Sequence, residues 1–444
     1  MKRSCSPTPN VREGYKKMTK EKIERPGQLE NLLSAVGKSR SYLIGLLSKM
    51  VAIPTVNPPG QNYRKFCEFM GEELHAIGIS DVELVSVPRE RLTKSLPEYA
   101  NYERVSLVAH YRQGDYPTLH LNGHFDVVPP TSGWTRDPFA PEQVGDKLYG
   151  RGAGDMKGLG AAMVTVARAI INQTERPKVN IALSFVSDEE TGGELGAGYL
   201  AEQNKVVGDL ALVEGIDGDC LTIANRGVIW VKLHFIGKPG HTTEPHKGKN
   251  AFLAAADCAM LLKNRAKRLL RAKRTAYPIK HPREAYSTIN IGGAAGGGSK
   301  INTISDRFSF TVDIRHIPEM EKDEVLAIIT ETLARTEARN KEVKTRMEIM
   351  QVNPATIGDK EGRWTALLDE AFQLTLGRKA KHFLAPFYTD MRHLVAGGVP
   401  TLGIGSKVGG VHSDDEWVSV RGLVNIAKVM ATVAWLLGER GSEK

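Results

Sequence analysis

The sequence predicts an α/β fold interrupted by a smaller α+β unit, and three observations carry that expectation. Strand-like and helical apolar patterns alternate from residue 82 to about 227, the order that gives a sheet sandwiched by helices. From 228 to 352 the order becomes β-α-β-β-α-β, that of a split ferredoxin-like unit. From 362 onward α/β character returns, so the second unit reads as an insertion. A length of 444 residues suits two domains better than one core.

The elements follow in order. Residues 28–50 place Leu29, Leu32, Leu33, Val36, Leu43, Leu46 and Leu47 at helical spacings and predict one amphipathic helix. Three prolines make 53–60 a loop, and a helix follows at 63–77. Strands are expected at 82–87, 105–111, 119–121, 179–186, 210–213 and 221–224, with helices at 158–172 and 196–202. The insertion reads as strand 228–236, helix 250–271, strands 287–292 and 307–315, helix 319–338 and strand 343–352. Its glycine-rich stretch 292–298 reads as a turn or hinge. A helix at 364–376, a strand at 399–404 and a helix at 420–437 complete the chain. The expected organisation is a basic tail at 1–27, a main domain in two parts at 28–227 and 354–444, and an inserted domain at 228–353.

Composition narrows the function classes. Charged residues are 25% and hydrophobic residues 41%, an ordinary globular balance, and no apolar stretch reads as a membrane span. The net charge of +9 is concentrated in 1–24 and 263–280. No nucleic-acid motif accompanies it, so both stretches read as a disordered tail and a solvated helix face. Cys5, Cys67, Cys220 and Cys258 show neither CxxC pairing nor regular spacing. That speaks against a thiolate zinc site or a disulfide framework and points to a reducing cytoplasm. The N-terminal stretch has no apolar core of a secretory signal.

Five clusters carry the chemistry: His124-Phe125-Asp126, Asp155-Met156-Lys157-Gly158, Asp188-Glu189-Glu190, Glu214 and His412-Ser413-Asp414-Asp415-Glu416. Four of them follow strand-like apolar runs, so rigid backbone brings them to one edge of a sheet. Acidic and imidazole groups so placed suit paired cations that activate water against a carbonyl. His124 and Asp126 flank one residue and face one side of an extended segment, so Asp126 can hold the ring nitrogen that His124 does not give to a metal. Four glycines within nine residues around Asp155 let the backbone turn tightly and present a carboxylate with two oxygens. The spacing is not that of a phosphate-binding P-loop. Glu189 and Glu190 are adjacent and point differently, so one can ligate while the other faces substrate.

The stretches LNGHFDVVP, GWTRDPF, YGRGAGDMKGLG, SDEETGG, VEG and GVHSDDEWV, in this order, resemble the M20 family of metallopeptidases and deacylases. The resemblance is to the subgroup of acetylornithine deacetylase and succinyl-diaminopimelate desuccinylase and runs from about residue 29 to 437. It implies a zinc-peptidase-like α/β/α catalytic domain with an inserted ferredoxin-like lid through which members dimerise. It also implies two divalent metals, zinc by default, with nitrogen and oxygen donors that would also suit Co²⁺ or Mn²⁺. Carried over by motif, His124 and Glu214 hold one metal, Glu190 and His412 the other, and Asp155 bridges. Glu189 becomes the general base and Asp126 the partner of His124. In the lid, His241 matches the histidine that steadies the oxyanion, often across a dimer. Asn302 and Arg315 match substrate-binding positions, and an Arg fork suits a free carboxylate. Asp390 and Arg392 lie in a stretch resembling one that lines the pocket. The substrate implied is an N-acyl amino acid, with dipeptides or carboxypeptidase substrates as the alternative. A non-catalytic homologue that binds a partner through its basic patch is the reading from another class.

Overall fold

A computed structural model describes residues 26–215, 218 and 220–441. The basic stretch expected at 1–27 lies outside them except for its last two residues, and Gly27 already opens a helix. Among the described residues, nine strands form the main sheet. At its centre Asn180–Val186, Thr118–His124, Leu210–Glu214 and Thr401–Ile404 run side by side and parallel. Parallel neighbours bring their carboxyl ends to one edge, where open α/β sheets bind ligands. Val105–Tyr111 and Asp81–Ser86 extend one side antiparallel. Cys220–Asn225 joins Thr401–Ile404 antiparallel on the other.

The central strands are buried along nearly their whole length, Asn180–Val186 at every residue, which is why they read as apolar runs. One face is covered by Gly158–Ile171, Arg363–Leu376, Val420–Gly441 and Tyr63–Ala76 around a large apolar core. The other is covered by Ala197–Glu202 and Met391–Ala396. Val420–Gly441 corrects one expectation: by length and apolar composition alone it could cross a membrane. Thirteen of its residues, from Val420 to Gly438, are instead buried in the protein.

The insertion is a four-stranded antiparallel sheet in the order Thr288–Gly297, Arg307–His316, Gly227–Ile236, Lys344–Asn353. Helices Ala251–Leu269 and Lys322–Arg339 pack on one face over a second core containing Ile229, Val231, Phe235, Phe310 and Val312. The fold is thus α/β with an inserted ferredoxin-like α+β lid. Side chains alternate along a strand, so Trp230, Asp313 and Arg315 project from the face opposite those helices.

Three local expectations change. The helix expected at 28–50 is two, Gly27–Lys38 and Arg40–Val51. The break falls at Ser39, whose hydroxyl bonds Ala35 O, and a side-chain bond of this kind competes with the helix ladder. The stretch 292–298 is not a hinge: the strand continues to Gly297, with a register shift between Ile291 and Ala295. Glycines there mark a bulge. A small sheet also went unread, in the order Val408–Gly409, Trp417–Ser419, Lys147–Tyr149, Glu142–Val144. Strands of two or three residues are too short for periodicity to register.

Candidate two-metal active site

The parallel strands deliver the polar cluster. His124 is the last residue of one central strand and Glu214 the last of its neighbour. Glu189 and Glu190 open a short turn just beyond Asn180–Val186. Asp155 arrives from a glycine-rich turn in which Gly152 has φ +83, a value costly for any side-chain-bearing residue. His412 comes from the loop joining Val408–Gly409 to Trp417–Ser419.

Asp155 stands between the two imidazoles. Its Oδ1 lies 3.1 Å from His124 Nε2 and its Oδ2 3.2 Å from His412 Nε2. Glu214 Oε2 is 3.0 Å from His124 Nε2, and Glu190 Oε2 is 3.0 Å from His412 Nε2. Two histidine–carboxylate sets thus share one carboxylate, and Glu189 joins His124 and Glu214 in a group whose donor atoms all lie within 4.8 Å. Asp126 is the hub behind them. Its main-chain oxygen is 3.0 Å from His124 Nδ1, closer than its carboxylate at 3.5 Å. The carboxylate accepts the N–H groups of Glu189 and Glu190, each at 3.2 Å, and the Asn57 amide at 2.8 Å.

The electrostatics call for cations. Burial and the nearby Glu214 push the Glu189 carboxyl well above its usual range. Burial and Asp155 push Glu190 up to about 7. Hydrogen bonds to Asp155 and Glu190 push His412 up to about 10. Crowded carboxylates hold protons because like charges repel at short range. Divalent ions would take the place of those protons, and the oxygen and imidazole donor set fits them.

Several supporting residues escaped the sequence reading. Glu416 Oε1 accepts the N–H groups of Gly154 (2.8 Å) and Asp155 (3.0 Å), while Oε2 takes Arg151 Nη1 at 2.6 Å. Arg151 Nη2 reaches Ser413 O at 3.0 Å, so one buried ion pair fastens the Asp155 turn to the His412 loop. Lys157, fully buried, donates to Met50 O and Ile53 O. Arg104 pairs with Asp188 Oδ1 at 3.0 Å, both buried. The acidic run around Glu416 and the GRGAGDMK stretch contain three of these groups, Glu416, Arg151 and Lys157, but a one-residue signal does not distinguish ligand from support.

The cluster opens on a cavity of about 680 Å³. Its lining includes Asp155, Glu189, Glu190, Glu214 and His412, and from the lid Trp230, Lys280 and Arg315. Arg315 lies over Trp230 and forms a forked pair with Asp313, at 2.9 and 3.2 Å. His241 and Asn302 are exposed on paired lid loops and do not line this cavity. Asp390 and Arg392, 2% and 7% exposed, do not line it either. Asp390 opens the helix Met391–Ala396, where its carboxylate is 3.5 Å from Asn122 Nδ2, and Arg392 packs on Tyr388. Just before them, Pro386, Phe387 and Tyr388 line the cavity.

Comparison with known proteins agrees with this geometry. The chain is 27% identical over 413 residues to an uncharacterized metallohydrolase of Methanocaldococcus jannaschii, covering 87% of this chain and 97% of that protein. It is 26% identical to an acetylornithine deacetylase of Edwardsiella ictaluri over 390 residues, 85% of this chain and 92% of the relative. The fold matches the dipeptidase Dug1p of Saccharomyces cerevisiae with a TM-score of 0.71 at 17% identity, over 93% and 98% of the two chains. Residues 120–435 match the model of peptidase family M20/M25/M40. The chain therefore belongs to that family and is a metal-dependent hydrolase.

Proposed function

We propose that the protein hydrolyses the amide bond of an N-acyl amino acid that carries a free carboxylate. The observation that supports this most is a shared-carboxylate cluster facing, across one cavity, the forked cation Arg315. In this reading His124 and Glu214 would hold one zinc ion and His412 and Glu190 the other, with Asp155 shared between the two sets. Zinc held there would supply a bound water whose pKa is lowered to about 7 and a Lewis acid for the carbonyl. Glu189 accepts the proton of the attacking water and returns it to the leaving amine. Asp126 holds His124 and the Glu189 backbone in register. Arg315, whose Nε–Nη2 edge is held by Asp313, offers its remaining N–H groups to the substrate carboxylate, while Arg392 acts on substrate only through Tyr388, on which it packs, and Asp390 stands behind the cluster next to Asn122.

Residues 28–227 and 354–444 form the catalytic domain and 228–353 the lid. His241 and Asn302, away from the cavity of their own chain, serve a second copy in a homodimer formed through the lid. Two buried thiols, Cys67 and Cys258, support a cytoplasmic setting. The shared fold with a yeast dipeptidase favours peptide hydrolysis as the second reading.

The test is amine release from a panel of N-acetyl, N-succinyl and N-formyl amino acids and dipeptides, with enzyme loaded with Zn²⁺ or Co²⁺. Release from N-acyl amino acids that is lost in Glu189→Gln, with metal content unchanged, is expected. Release from dipeptides alone moves the enzyme to the peptidase branch. Full metal with no turnover supports a binding protein.

A further inference from the structure

The turn that carries the two adjacent glutamates, Glu189–Thr191, is three residues long, and so short a 3₁₀ turn has little of its own to hold it in place. It follows Asp188 at φ +73, a backbone value that persists where surrounding contacts over-determine it. Those contacts form a ring. Asp126 accepts the N–H groups of Glu189 and Glu190 at 3.2 Å each. Asn57 gives one amide N–H to Asp126 Oδ2 at 2.8 Å and the other to Thr191 Oγ1 at 3.0 Å. Thr191 gives its one hydroxyl proton to Asp188 Oδ1 at 2.7 Å, and Arg104 Nε donates to the same oxygen at 3.0 Å. Arg104 Nη1 donates to Pro59 O at 3.0 Å, which ties the turn to the loop that carries Asn57. Asn57, Arg104 and Asp188 are at most 3% exposed, whereas Thr191 is exposed.

We propose that Thr191, acting with Asn57, is a positioning residue that sets which of the two adjacent glutamates is the base and which the metal ligand. The proposal rests on the reading above, in which Glu189 is the base. Glu190 Oε2 lies 3.0 Å from His412 Nε2, while Glu189 groups with His124 and Glu214. The two side chains are chemically identical, so the orientation of the turn is what separates their tasks. Asp126 anchors the start of the turn through two N–H groups, and a turn anchored at one end can still pivot. Thr191 supplies the anchor at the other end, because its hydroxyl is joined both to Asp188 and to Asn57. Without that hydroxyl the turn can pivot and carry Glu189 with it. A misplacement of about 1 Å costs up to about 100-fold in rate.

The test compares Thr191→Val, close in shape but without the hydroxyl, with Thr191→Ser, which keeps it. Thr191 is exposed, so both variants should fold. Each is assayed zinc-loaded, at equal bound metal, on an N-acyl amino acid or dipeptide from which the wild type releases amine. In Thr191→Val kcat should fall about 10–100-fold with KM little changed, and Thr191→Ser should recover most of that loss. In the metal-free protein, amide deuterium exchange across residues 187–192 should speed up in Thr191→Val and match the wild type in Thr191→Ser. Unchanged exchange or unchanged kcat in Thr191→Val, or an equal loss of kcat in both variants, overturns this proposal alone. Absence of amine release by the wild type from every compound overturns the reading on which it rests, and this proposal with it.

Discussion

Replacing Glu416 by Gln should be among the most damaging single changes outside the metal ligands. Arg151 and Glu416 side chains are each 1% exposed. A buried pair that loses one partner strands the other charge, at about 3–5 kcal/mol. The two directions are unequal. A guanidinium is not deprotonated in proteins, so Glu416→Gln leaves a buried cation facing an amide. In Arg151→Met the orphaned carboxyl, already raised by burial and by Asp155, takes a proton and keeps its bonds to Gly154 and Asp155. That variant should lose about 1–3 kcal/mol, and the double variant should lie close to it. The coupling then equals the Glu416→Gln loss, about 3–5 kcal/mol, far from additivity. Urea unfolding of the wild type, both single variants and the double variant, each with chelator, reads these differences. Because Glu416 also fixes the Asp155 backbone, metal affinity in Glu416→Gln should fall about 10–100-fold, as for other groups that orient ligands. Glu416→Gln within about 1 kcal/mol of wild type, or strictly additive losses, would refute the reasoning.

Asp155→Ala should empty both metal positions, whereas Glu214→Ala and Glu190→Ala should each lose one; metal analysis after dialysis distinguishes two, one and none. Burial pulls His120 down to about 4, so it is neutral when folded and charges near pH 6.5 when unfolded. The unfolded state then binds the extra proton, so stability is full above about 6.5 and falls by about 3 kcal/mol as pH drops to about 4. His120→Gln should flatten that part of the curve in acid unfolding by circular dichroism. Arg315→Lys loses the fork and should raise KM about tenfold with a smaller change in kcat; equal KM in steady-state kinetics would remove Arg315 from substrate binding.

Much of this molecule was written locally. The central strands are apolar runs with acid or imidazole groups at their ends, so both the α/β order and the residues at the cluster could be read from the chain. The lid's β-α-β-β-α-β order was legible for the same reason: strand and helix periods are properties of neighbouring residues. Supports that join distant segments were not. Arg151 meets Glu416 across 265 positions and Asn57 meets Asp126 across 69, and no period records such a meeting. Nor does residue type alone say that Arg392 packs on Tyr388 while Arg315 faces the cavity. Those are consequences of packing, in which a side chain's environment is set by whichever elements the fold brings against it.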